Sequence, residues 1–182
     1  MRTDIKFTYQ EYRTLPETGP RYQLIEGDLL MSPSPNFFHQ TLVYNLALIL
    51  GQFAKTHALG LVRVAPLDVI LTEEDVVQPD IVYVSNARKG IIAPEGLRGA
   101  PDLCVEVLSA STRDLDSQAK RVLYARHGVA ELWLVDPDAR TIELFRLQEQ
   151  PHAPTRVFRA DETLTTALLP GLEVKLAEVF EG

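Results

Sequence analysis

A carboxylate set into an otherwise apolar strand constrains this chain more than any other feature. Leu103 to Leu108 reads LCVEVL. Side chains alternate along a strand, so Leu103, Val105 and Val107 share one face while Cys104, Glu106 and Leu108 share the other. Both faces are largely apolar, as in a strand covered on both sides. An unpaired carboxylate at Glu106 would cost several kcal/mol or take up a proton. A bound cation, or a lysine reaching in from the next element, would remove that cost.

The next element supplies such a lysine. Asp114 to His127 reads as a helix, with Ser111 and Thr112 as N-cap types, a capping-box spacing from Ser111 to Asp114, and Asp114 and Asp116 suited to the positive end of the helix dipole. Leu115, Ala119, Val122 and Leu123 fall at helical spacing and predict the packed face. Lys120 lies just beside that stripe, and its long side chain can return over the strand end toward Glu106. The competing reading pairs Asp116 with Lys120 at i,i+4 on a solvated face, worth about 0.3 to 0.5 kcal/mol. Spacing leaves both open. Glu131 to Val135 then reads as a second apolar strand.

The remaining segments frame this unit. Phe7 to Thr14 reads as a short amphipathic helix, and Tyr22 to Ser32 as two strands around a Glu26-Gly27-Asp28 turn. Asn36 to His57 predicts a helix whose stripe is Leu42, Leu46, Ile49, Leu50 and Phe53, with His39 in its first turn as a packing or surface residue and, as the rarer reading, a ligand or phosphate contact. Leu61 to Leu71 reads as a strand that Pro66 interrupts, at an edge or a bulge. Asp80 opens an apolar strand, Ile81 to Val84, directly behind Pro79. It is either a turn residue or a second carboxylate converging with Glu106 at neighbouring strand ends, where a divalent cation would relieve their repulsion. The Asn86 to Ala100 loop carries Arg88, Lys89 and Arg98. Thr141 to Gln148 predicts a strand antiparallel to Glu131–Val135, Arg156 to Arg159 a short one, and the tail a closing strand and helix presenting Leu172, Val174, Leu176, Val179 and Phe180 to the core.

At 182 residues the chain reads as one domain: an N-terminal helix and hairpin extension (1–35), a core (36–150) and a C-terminal closing segment (151–182). No apolar run has membrane-spanning length, and the expectation is a cytoplasmic protein with no membrane partner. The single cysteine, Cys104, excludes an internal disulfide and a cysteine zinc cluster, and reads as a small core residue. The formal net charge is −7. Proteins that hold nucleic acid by neutralising phosphates tend to be basic, so any such role here rests on a local patch, a metal-filled acidic site or a partner.

Several of these segments resemble, in order, the Uma-two family of restriction-endonuclease-like proteins. They are Tyr22–Gly27 (YQLIEG), Met31–Pro35 with His39, Pro79-Asp80, PDLCVEVLSAST, Asp116 with Lys120, Tyr124, GVAELWLVDP and Pro170-Gly171-Leu172. The resemblance covers nearly the whole chain. It implies an α/β (α+β) restriction-endonuclease-like fold of the PD-(D/E)XK superfamily, a central mixed β-sheet flanked by helices. Asp80 matches the Asp of the PD element and Glu106 the acidic residue of the second. Leu108 stands where the general superfamily pattern has lysine, and the resemblance implies that Lys120 takes that part. Glu26 matches an N-terminal acidic residue.

The implied activity is Mg²⁺-dependent hydrolysis of DNA phosphodiester bonds, with Mn²⁺ as a substitute. Asp80, Glu106 and the Val107 carbonyl would hold the metal, Lys120 would serve the attacking water or the transition state, and Glu26 would assist. Cutting both strands of a duplex would favour a homodimer. The alternatives are a non-catalytic nucleic-acid-binding or assembly module that keeps the fold, and a structural ion-pair network in an ordinary α/β domain.

Overall fold

The computed structural model describes residues 6–16, 21–32, 34–109, 113 and 115–181. The caps expected at Ser111 and Thr112, together with Asp114 and the Asp116 side chain, lie outside the described residues. In chain order the structure runs α1 (Tyr9–Tyr12), β1 (Arg21–Ile25), β2 (Asp28–Ser32), α2 (Phe37–Thr56), β3 (Gly60–Val64), β4 (Val69–Ile70), β5 (Val76–Val77) and β6 (Ile81–Ser85). A 3-10 turn (Asn86–Ile91), β7 (Ile92–Ala93), β8 (Gly96–Arg98) and β9 (Leu103–Val107) follow. A π-helical stretch (Leu115–Lys120) leads into α3 (Arg121–His127), then β10 (Glu131–Asp136), β11 (Thr141–Arg146), β12 (Arg156–Arg159), β13 (Thr163–Leu164), β14 (Val174–Lys175) and α4 (Leu176–Val179).

The mixed central sheet has the order β12-β11-β10-β9-β6-β3. Its one parallel pair is β9–β10. Parallel neighbours need a crossover, and the π-helical stretch with α3 provides it, so the segment carrying Lys120 returns over the strand that carries Glu106. A second six-stranded sheet, β2-β1-β5-β4-β8-β7, holds the N-terminal hairpin, and β13 pairs with β14. The expectation of a central mixed sheet with flanking helices therefore holds, with a second sheet beside it. The expected strand Leu61–Leu71 divides between the two sheets: β3 joins the first and β4 the second, the chain redirecting at the cis Ala65–Pro66 peptide.

Both faces of the central sheet are covered, which is why its strands are apolar throughout. On one face Leu42, Leu46 and Leu50 of α2 pack with Leu103, Val105, Val107 and Trp133, closed by Val179 and Phe180 from the C-terminal segment. On the other, Leu123 and Tyr124 of α3 pack with Cys104, Leu132 and Leu134. Each fully buried aliphatic side chain of this kind contributes about 1.5–3 kcal/mol. Asn36 caps α2 by accepting the His39 N–H at 2.8 Å, in agreement with the helix read from the sequence. The β1–β2 hairpin turns through Glu26 and Gly27, both at positive φ (51° and 78°), the geometry of a two-residue type I′ turn. Among the described residues no helix is long and apolar enough to cross a membrane.

Register brings the chemistry-bearing residues together. Ile81 stands opposite Val105 in the antiparallel β6–β9 ladder, so Asp80 at the amino end of β6 comes opposite Glu106. Val107 pairs with Val135 in parallel, so the chain beyond β10 leaves at the same end. Ligand crevices in open α/β sheets lie outside the carboxyl ends of strands, and β9 and β10 both end here.

Candidate functional site

At that end lies a cavity of about 490 Å³, and Asp80, Glu106, Val107, Lys120 and His39 all line it. Glu106 and Lys120 are each only 2% exposed. The Lys120 ammonium lies 3.0 Å from both Glu106 oxygens, and the Tyr124 hydroxyl donates to Oε1 at 2.5 Å. The strand carboxylate thus has its lysine, from the crossover rather than from the strand. The neighbouring Cys104 thiol is pushed well up, first by burial and then by the Glu106 charge, which suits an inert core residue as its sequence context implied.

The packed face of the crossover differs from the one that helical spacing predicts. Val122 and Ala119 are exposed, whereas Lys120, Leu123 and Tyr124 are buried. The stretch from Leu115 to Lys120 is π-helical. A π turn takes more residues than an α turn, so the phase of the buried stripe shifts and Lys120 moves from its border onto it. Tyr124 then falls one α-helical turn after Lys120, on the same face. That i,i+4 spacing was the available signal for Tyr124 as a partner of Glu106.

Asp80 is held from two sides. The Val107 N–H donates to its Oδ2 at 2.7 Å, and His39 Nε2 lies 3.1 Å from Oδ1. An ionised carboxylate only accepts, so that His39 nitrogen carries the proton in this contact. His39, read as a packing or surface residue with a ligand or phosphate contact as the rarer alternative, is thereby part of the cavity. The β6–β9 ladder ends at the pair Ile81–Val105, and the register partner of Val107 two residues on would be Pro79, which has no N–H. Within a strand one residue's N–H and C=O point to the same edge. The Val107 carbonyl therefore faces the Asp80 side without a ladder donor from Pro79.

Glu26 stands apart. It occupies the exposed β1–β2 turn, where its carboxylate pairs with Arg126 at 3.0 Å and its N–H donates to Asp75, and it does not line the cavity. The second ion or oriented water that Glu26 was expected to assist would lie beyond its reach here, and polar neutral side chains line much of the cavity. Gln23 and Gln78 lie on one side, with Gln23 accepting the Gln78 N–H at 3.0 Å, and Asn36 and Gln40 from α2 lie on another. The loop cations are committed elsewhere: Arg88 bonds the Ala100 and Gly128 carbonyls and pairs with Asp102, and Arg98 pairs with Glu95. Near the rim Arg113 pairs with Asp136, holding that carboxyl below its usual range, and approaches Asp138.

Among the described residues no group of three or more His, Cys, Asp or Glu side chains is arranged to hold a metal ion. A cation bound here would have two carboxylates and one carbonyl, and the rest of its shell would be water and substrate. That donor set fits Mg²⁺, which keeps several waters and takes one or two carboxylates, and does not fit a closed tetrahedral zinc site.

The family profile described as "Putative restriction endonuclease" (Uma2, the Uma-two family) matches residues 9–177. The chain belongs to this family. The fold is also that of a crystal structure described as a putative nuclease belonging to DUF820 from Anabaena variabilis ATCC 29413. The TM-score is 0.80 over 96% of this chain and 97% of that one, at 23% identity. No curated protein matches the chain.

Proposed function

We propose that this Uma2-family chain is a Mg²⁺-dependent nuclease acting on DNA, with Asp80, Glu106 and the Val107 carbonyl as metal ligands and Lys120 as the catalytic cation. The observation that carries the reading is the convergence of two carboxylates from adjoining strands on one cavity, with a buried ammonium against one of them. Family membership supports the same reading. Mn²⁺ has the same preference for oxygen donors and is the expected substitute.

Bound between these groups, Mg²⁺ would neutralise charge on the scissile phosphate and acidify a water. The chain's own residues do the rest. Asp80 is fixed by the Val107 N–H and by His39, so its remaining lone pairs keep one direction. Tyr124 fixes Glu106 in the same way from behind. Lys120, buried against the carboxylate, offers a point charge to the attacking water or to the developing negative charge on phosphate. Glu26 has no part in the reacting set, because it lies outside the cavity.

Calorimetric titration with Mg²⁺ and Mn²⁺, paired with cleavage assays on duplex and single-stranded DNA, tests this. Wild type is expected to bind metal and cut, and Asp80→Asn and Glu106→Gln to lose both while remaining folded. Metal binding unchanged in both variants would refute the ligand set. DNA binding with steep salt dependence but no metal-dependent cutting would instead identify the non-catalytic module.

A further inference from the structure

The helix that lines the cavity with one end has an outer face on which three large side chains stand exposed among the described residues. Phe37, Tyr44 and Leu48 of α2 are 88%, 67% and 54% exposed. With Thr41 and Gly51 they follow the alternating four- and three-residue spacing of a helix-packing seam. Thr41 spends its hydroxyl inside the helix, on the Phe37 carbonyl at 3.1 Å, so this seam carries little polar surface that would resist desolvation. Asn45 is turned away from it, donating to the backbone of residues 178, 179 and 181.

Two further observations say what covers the seam. From Phe37 to Ala54 there is no Asp, Glu, Lys or Arg, in a chain that is 24% charged and carries a net charge of −7. A two-fold interface sets each patch against its own copy, so a charge-free face is the one on which two acidic chains can meet without repulsion. Nucleic acid, by contrast, is held by basic side chains, and the seam has none. The second observation is Gly51. Glycine weakens a helix interior, and here a Cβ would find nothing within 4 Å, so among the described residues no contact calls for its absence.

We infer that α2 is a homodimer interface, two copies crossing antiparallel about Tyr44. Phe37 and Gly51 are equally distant in sequence from Tyr44, so the two-fold axis lays the Phe37 ring of each copy over the hollow at the partner's Gly51. The most exposed large side chain and the one helix-interior glycine of α2 thus become mutual partners, with Tyr44 against its own copy on the axis. His39 lies five residues from the axis, so the two cavities open at opposite ends of the helix pair, roughly 15 Å apart along it at 1.5 Å per residue. The pairing does not depend on the nuclease reading, and its test reads mass rather than cleavage.

Sedimentation velocity on the full chain, from about 1 to 200 µM, brackets the micromolar dissociation expected of a small interface. Wild type is expected to dimerise, and Tyr44→Glu and Gly51→Glu each to raise the dissociation constant by about 100-fold, as loss of a central anchor does. Gly51→Glu separates docking from folding: it adds a strong helix former in open space, so its thermal midpoint should equal or exceed wild type while the dimer weakens. Tyr44→Cys should cross-link on mild oxidation, since the native Cys104 is buried. A wild type that is monomeric throughout the range, or a dimer unaffected by both Glu variants, overturns the inference. So does a Tyr44→Glu variant that keeps its mass distribution and loses DNA binding, which would give the face to nucleic acid.

Discussion

Replacing Lys120 by Met keeps the length of the side chain and removes its charge, which isolates the worth of the ammonium at Glu106. Both side chains are buried, and the ammonium contacts both carboxylate oxygens at 3.0 Å. Removing one partner of such a pair costs about 3–5 kcal/mol, because the other charge is left without water or counter-ion. The carboxyl has an escape, namely to take up a proton. From an unfolded value near 4.3 that route costs about 5 kcal/mol at pH 8 and about 1 kcal/mol at pH 5, and these figures cap the loss at each pH. In the variant, burial without the cation raises the folded carboxyl above its unfolded value. Its stability contribution is then fully present below about pH 4.3 and is lost as pH rises through the raised folded value. Urea unfolding of Lys120→Met should therefore show a deficit of about 3–5 kcal/mol at pH 8 that shrinks to about 1 kcal/mol at pH 5. Adding Glu106→Gln should recover most of it, since the buried charge is gone. A deficit under about 1 kcal/mol at pH 8, or one that does not change with pH, would refute the claim that the lysine neutralises this carboxylate.

Two further substitutions probe the molecule elsewhere. Glu131 is buried between the Thr166 hydroxyl and the Trp133 N–H, and burial raises its carboxyl above the ordinary range. Wild type thus loses stability as pH rises from the ordinary carboxyl range through that raised value. Glu131→Gln should unfold at higher urea than wild type at pH 8 and converge with it near pH 4, whereas a constant difference would count against the assignment. Glu26→Ala removes an exposed ion pair with Arg126, so the cost should stay under about 1 kcal/mol and metal-dependent cleavage should stay within about twofold of wild type. A large loss of cleavage would return Glu26 to the reacting set.

What the sequence made legible was whatever a strand or helix period carries on its own. The two-faced strand at Leu103–Leu108, the helix begun by Asn36 and the apolar Glu131–Val135 run all stand as read, because both faces of the central sheet are covered and the pattern is continuous. Convergence of Asp80 with Glu106 was open in the sequence and is decided by one register, Ile81 opposite Val105. The second sheet was illegible because β4, β5 and β7 have two residues each, too few for an alternation. A sequence gives the charges of the Asn86–Ala100 loop without their partners, and here Arg88 pairs with Asp102 and Arg98 with Glu95. The buried face of the crossover was misjudged because a 3.6-residue period was applied across a π-helical stretch.

That stretch also explains how the lysine can stand where it does. A lysine two residues after Glu106 would share its strand face and lie roughly 7 Å along it, the spacing that the general superfamily pattern uses. Here Leu108 holds that position and is buried in the core against the second face of the sheet. The carboxylate needs an ammonium within contact distance, and it has no requirement for the strand that delivers it. A parallel crossover always returns over its own strand, so a residue near its start is within reach of that strand's end. What remains is orientation. On an unbroken α-helix the stripe Leu115, Ala119, Val122 and Leu123 would face the sheet and leave Lys120 at its edge. The π-helical turn rotates the following residues, so that Lys120, Leu123 and Tyr124 face inward together, and one helix face supplies both the cation and the hydroxyl that hold Glu106. Moving the lysine to the crossover is therefore coupled to the irregular turn. A single-residue deletion within Leu115–Lys120 that restored an α-helical phase would be expected to separate Lys120 from Glu106 even though every ligand residue remained in the chain.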